Sequence, residues 1–198
     1  MKTTTPYDPE TAGTRERIVR TTSRLMQRQG YEGTGIKQIS REAGATLGSL
    51  YHFFPGGKQE LGTAAVRLGD EEFTDFLREA LDAEPEPEKA LVALTKALAQ
   101  GLRESDWLDG CPVTSTVVGT ATTAPDIQQA AAEAFARWRT VVAGKLAAAG
   151  FATTDAEELA HTVVATLEGA ELAAQTARSA VPLEVAGRHL ARLVASYR

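Results

Sequence analysis

Apolar residues in this chain return every three or four positions in segment after segment. No stretch alternates apolar and polar residues at the two-residue period of a half-buried strand. This periodicity predicts an all-α fold of about nine helices, with glycine and proline supplying the breaks. Residues 14–29 place Ile18, Val19, Thr22, Leu25 and Met26 on one stripe, and Gly30 is a suitable stop. A short helix is expected from Thr34 or Gly35 to Ala43, a break at Gly44, and a second short helix from Thr46 to Phe53. Pro55-Gly56-Gly57 reads as a turn, followed by a long helix over 58–81. Beyond the Glu84-Pro85-Glu86-Pro87 break come helices over 88–104, 125–149, 153–178 and 182–197. The nearly uncharged stretch 105–125 reads as a short helix and a mobile connection. No repeat of the solenoid kind is present.

The most informative block runs from Tyr31 to Leu61. Two short helices joined at Gly44 make a helix-turn-helix. Ile39 and Ala43 on the first helix face Leu50 on the second, and the small Ala43 permits close approach. The second helix opens with small and polar residues, so its N-terminal end fits a major groove. Thr46, Leu47, Gly48 and Ser49 are expected against DNA, with Tyr51 and His52 reaching phosphates or base edges. Tyr51 has two compatible roles, its hydroxyl at a phosphate and its ring packed on the helix. Phe53 and Phe54 are expected in the core. Thr34 and Lys37 stand where the first short helix begins, and Lys58 where the long helix begins, as phosphate contacts.

The charge distribution agrees. Up to residue 60 the chain holds nine basic and six acidic residues, a net +3, while the remainder carries −8. A basic head on an acidic body suits one polyanion-binding end, although solvated helix faces also produce such asymmetry. Non-specific DNA binding rests on phosphate neutralisation, which the acidic body disfavours.

The run Tyr31, Gly33, Thr34, Ile39, Ala43, Gly44, Gly48, Ser49, Leu50, Tyr51, Phe53, Phe54, Lys58 and Leu61 resembles the DNA-binding signature of the tetracycline-repressor (TetR) family. The turn Pro55-Gly56-Gly57-Lys58, with Gly110-Cys111-Pro112, resembles its LmrA-like branch, which is associated with drug or antibiotic response. Thr46-Leu47 departs from the commoner pattern of a small polar residue followed by Lys, which puts the operator sequence in doubt rather than DNA binding. The polar N-terminus, with Pro6 and Pro9, reads as a disordered tail over 1–13, and the resemblance implies a DNA-binding domain over 14–60 and a ligand-binding and dimerisation domain over 61–198. It implies a homodimer on double-stranded operator DNA, released by a small-molecule effector; with no secretory signal or membrane-spanning run in the sequence, a cytoplasmic location is expected. A small-molecule carrier with a vestigial helix-turn-helix and a sequence-indifferent architectural DNA protein are the alternatives.

For the body, Phe76, Trp107, Phe135 and Trp138 are candidate aromatic walls of an effector pocket, with Thr114 near its mouth. Aromatics at helical spacing also build ordinary core. His161, Glu168 and Gln175 recur every seven positions, with Glu171 close to that line. They form either a solvated stripe or a polar pocket wall suited to cationic or hydrogen-bonding ligands. The last two helices are rich in small residues, and the resemblance implies a four-helix dimer interface. Val163, Leu167, Ala170, Ala174, Leu183 and Leu190 are the candidates there, with core packing as the alternative. Two-fold symmetry would match a near-palindromic operator with half-sites ~34–36 Å apart or a multiple of that. Three dispersed histidines and a single cysteine, Cys111, offer no metal cluster. No phosphate loop or nucleophile elbow points to an enzyme, no cofactor is expected, and no apolar run is long enough to span a membrane. A redox role for Cys111 requires an electropositive, exposed setting.

Overall fold

The computed structural model describes residues 11–120 and 123–198. The tail expected over 1–13 therefore falls, for residues 1–10, outside the described residues. The described residues form nine helices in the order α1 (Thr14–Gly33), α2 (Ile36–Glu42), α3 (Leu47–Phe53), α4 (Gly57–Asp82), α5 (Pro87–Glu104), α6 (Pro112–Val117), α7 (Pro125–Ala148), α8 (Thr153–Ala177) and α9 (Val181–Ala195). Among them there is no strand. α5, α6, α7 and α9 each carry proline in the first turn, where a missing N–H costs no helical hydrogen bond. α1 runs past Gly30 to Gly33, but Gly30 itself is non-helical at φ +71°, so the chain kinks at the expected place.

Each region of the chain closes over its own apolar cluster. Ile18, Val19, Leu25, Ile39, Ala43, Leu50, Phe54 and Leu61 unite α1–α3 with the start of α4. A larger cluster joins α4, α5, α7, α8 and α9 around Leu77, Leu94, Trp138, Val163 and Leu190. α4 belongs to both, supplying Leu61 to the first and Val66, Leu77 and Leu81 to the second. Head and body meet at Gly62, where a Cβ would stand 2.6 Å from Ile127 Cδ1 and 3.1 Å from Tyr31 Cε2. Only glycine lets α1, α4 and α7 approach this closely.

α7 is also pinned to α4 by a buried carboxylate. Asp70 accepts hydrogen bonds from Trp138 Nε1 at 3.0 Å, Thr74 Oγ1 at 3.0 Å and Arg137 Nε at 2.9 Å. Three donors offset much of the cost of burying the charge.

Candidate nucleic-acid interface and effector site

The turn between α2 and α3 depends on Gly44, whose φ of +59° falls in the left-handed region. Ser40 Oγ reinforces the turn by donating to the Ala45 carbonyl at 2.6 Å. α3 starts at Thr46, whose Oγ1 accepts from the Ser49 backbone N–H at 3.0 Å. That cap satisfies one of the free amides at the helix start. Thr46→Ala is expected to destabilise the protein by about 0.5–2 kcal/mol, read as a lower urea midpoint at unchanged slope.

Behind α3, Ile39, Ala43 and Leu50 are buried together, as their spacing requires. Its outer face presents Leu47, Gly48, Tyr51 and His52, with Leu47 40% and Tyr51 49% exposed. Ser49 is half-buried and Lys37 is exposed on α2. Phe54 is buried in the head, but Phe53 is 36% exposed and packs edge-on against His52 at 5.2 Å. The expectation of a buried Phe53 is thus corrected: successive helical residues point about 100° apart, so only one of the pair reaches the core.

Two predicted phosphate contacts are engaged by the chain itself. Thr34 is fully buried, and its hydroxyl donates to the Gly30 carbonyl at 2.8 Å across the kink of α1. It is a structural residue rather than a DNA contact. Lys58 lies 4.4 Å over the Tyr31 ring, and its Nζ is 3.4 Å from the Glu32 carbonyl and 3.8 Å from Glu32 Oε2. It ties the start of α4 to the end of α1, and a phosphate would have to compete for it. Of the head's other cations, Arg24 pairs with Glu42 at 3.2 Å and Arg28 with Asp109 at 2.5 Å.

The body separates the predicted pocket residues into two groups. Trp138 is fully buried between Phe73 at 4.5 Å and Phe135 at 5.0 Å, and Phe76 lies 5.8 Å from Phe73. These aromatics are core between α4 and α7. Trp107 sits elsewhere, with Leu102, Ala174 and Leu183. A cleft of about 500 Å³ at the head–body junction is lined by Arg15, Phe54, Gln59, Arg67, Asp126 and others, and by none of the predicted pocket residues.

The second group gathers where α8 faces α6. Glu168 accepts a hydrogen bond from the Thr114 hydroxyl. The Cys111 thiol, at the N-cap of α6, accepts from the Thr114 backbone N–H at 3.4 Å, beside that bond. Gln175 Nε2 donates to the Leu108 carbonyl at 3.0 Å. Glu171 is 8% exposed, and among the described residues its carboxylate has no hydrogen bond or ion pair. His161, expected on the same stripe, is exposed. Burial, and then the Glu168 charge, push Glu171 up to about 8, and burial raises Glu168 as well. Burial, followed by the two carboxylates, pushes the Cys111 thiol well up. It therefore stays protonated at neutral pH, without the thiolate that redox sensing needs. Among the described residues no group of three or more His, Cys, Asp and Glu stands where it could hold a metal.

This corner is also joined to the head, a link that sequence reasoning missed. Gln27 Nε2 on α1 donates to the Gly110 carbonyl at 2.6 Å, beside the Arg28–Asp109 pair. No local pattern signals these bonds, which cross more than eighty residues.

Five of the six predicted dimer residues require correction. Val163, Leu167, Ala174, Leu183 and Leu190 are buried within the chain, and Ala170 is half-buried. Their surfaces are already consumed by the chain's own helices. The outward faces of α8 and α9 instead show Ala165, Gly169, Leu172, Ala173, Val181 and Val185, with Leu172 59% and Val181 58% exposed. No helix among the described residues is long and apolar enough to cross a membrane.

Residues 18–65 match the family model "Bacterial regulatory proteins, tetR family". Residues 87–189 match "Transcriptional regulator LmrA/YxaF-like, C-terminal domain". The chain is 33% identical to the HTH-type transcriptional regulator YxaF of Bacillus subtilis over 180 residues, covering 91% of this chain and 94% of that protein. It is 34% identical to the B. subtilis regulator LmrA over 169 residues, 85% and 90% of the two chains. Among solved structures it is similar to the regulatory protein TetR from Rhodobacter sphaeroides, with a TM-score of 0.81, 24% identity and 90% and 97% coverage. The fold is also shared with a cysteine mutant of the regulator CifR, solved on a 26-bp double-strand operator, with a TM-score of 0.78, 19% identity and 91% and 96% coverage. The chain is a DNA-binding transcriptional regulator and belongs to the TetR family, in its LmrA/YxaF-like branch.

Proposed function

We propose that the protein is a cytoplasmic, homodimeric repressor that leaves a near-palindromic operator when a small-molecule effector enters its body. The observation that carries this reading is the pairing of an exposed α3 face, with Leu47, Gly48, Tyr51 and His52, and a polar corner bonded to the same head through Gln27 and Arg28. Lys37 and Ser49 flank the reading face. Release is a coupling free energy between two sites. An effector that moves the 105–111 segment or α6 shifts α1 through the Gly110 and Asp109 contacts, and α4 through the shared cores. The two α3 helices of the dimer then lose the half-site spacing. The outward faces of α8 and α9 make the two-fold interface in this reading.

Selection of bound duplexes from random DNA, followed by titration of the winner, tests the proposal. A near-palindrome bound by a dimer, far more tightly than random DNA, is expected. Tyr51→Ala should weaken that site by roughly tenfold or more at each half-site without lowering the melting temperature. No sequence rising above background would overturn the reading and leave a carrier with an idle head. Equal affinity for all duplexes would mark an architectural protein.

A further inference from the structure

The niche between α6 and α8 holds two carboxylates, Glu171 buried and Glu168 half-buried, and among the described residues no cation pairs with either. Glu168 accepts from the Thr114 hydroxyl, whereas Glu171, one turn along the same helix face, has no hydrogen bond or ion pair among the described residues. The titratable groups facing Glu171 are Glu168 on its own helix and the Cys111 thiol from α6. Leu167 and Ala174, one turn to either side of Glu171 on α8, are apolar and buried. A carboxylate without a donor in such a setting is expensive, and structures keep one where something else completes it. We propose that Glu171, with Glu168 beside it, is the seat of the positively charged end of an organic-cation effector.

This inference rests on the effector-released reading above and names the effector's class. It has a consequence in protons. The free protein holds a proton on Glu171 up to about pH 8. An arriving cation displaces that proton to solvent, and the cation then pairs with the exposed charge. Thr114 keeps Glu168 oriented, and α6 carries any shift of Thr114 toward Gly110 and thus toward Gln27. A neutral effector of the same shape would leave the proton in place and gain none of this.

The probe is choline, with 3,3-dimethylbutan-1-ol as its uncharged isostere, measured by titration calorimetry on the full-length protein. Choline is expected to bind at least about tenfold more tightly than the alcohol. Comparison of two buffers of different ionisation enthalpy should show close to one proton released at pH 7. Choline affinity should rise by about 50-fold from pH 6 to pH 8, then level off, as a single displaced proton requires. Glu171→Gln should abolish both the pH dependence and the preference for the cation. The variant's own melting temperature reports whether the carboxylate is truly unpartnered. It should match the parent at pH 5, where Glu171 is protonated, and exceed it at pH 9, where the parent buries a charge.

Equal binding of choline and the alcohol, absence of choline binding, or a Glu171→Gln variant that melts lower than the parent at pH 9 would each overturn the proposal. Operator titration on the same preparation separates the two levels. Operator binding that survives while choline fails removes only the cation site, and loss of any selected operator removes the regulator reading beneath it.

Discussion

Leu172→Glu is expected to split the proposed dimer and lower operator affinity by at least about a hundredfold. Leu172 is 59% exposed on α8, and the apolar Val181 and Val185 of α9 are 58% and 36% exposed. Ala165, Gly169 and Ala173 share the outward side of α8 and let a second pair of helices approach closely. A two-fold interface uses the same patch twice, so one substitution buries two unpaired carboxylates. A monomer reads one half-site and loses the effective-concentration gain of about 10²–10⁴ that a linked pair enjoys. The chain itself should fold normally, because the side chain touches little of its own subunit. Sedimentation equilibrium, circular dichroism and operator titration together check this. Val163→Ala is the counterpart. Val163 is fully buried, so that change should cost chain stability and leave the subunit count alone. A Leu172→Glu protein that sediments as a dimer would place the interface on another surface.

The second large effect is expected at Trp138. Trp138→Ala should destabilise the body by about 3–5 kcal/mol, since a fully buried indole leaves a cavity that rigid neighbours cannot fill. The loss has a polar part, because Trp138 Nε1 is one of three donors to the buried Asp70. Trp138→Phe isolates it, at about 1–3 kcal/mol for removing a hydrogen-bond partner from a buried charge. Urea denaturation of the two variants gives both terms. An effector wall at Trp138 predicts the reverse pattern, with lost ligand affinity at nearly unchanged stability.

The two effects show where sequence reasoning carried and where it stopped. The helices were legible because helical periodicity, Gly44, Gly150 and the prolines are local signals. The exposed outer face of α3 was legible for the same reason, because one buried position, Leu50, orients a seven-residue helix. Thr34 and Lys58 were not. Polar residues near a helix start look alike in sequence, whether they face a phosphate or bond the kink of α1 and the end of the same helix. The aromatics divided for a related reason. Spacing marked each as apolar-facing, but the partners that make Trp138 core and set Trp107 apart lie on other helices.

Local chemistry along the chain determined the helices, their breaks, the helix-turn-helix and its exposed face, because each depends on residues a few positions apart. Tertiary structure alone decided which side of α8 the chain uses for itself. Small residues line both sides, with Ala160 and Ala174 buried and Ala165 and Ala173 exposed, so composition cannot choose between them. It also decided that Glu168 and Glu171 share one buried niche with Cys111 and Thr114, more than fifty residues away in the chain. Burial and the raised protonation that follows from it belong to the neighbours a residue acquires, and those neighbours are set by how α6 and α8 pack.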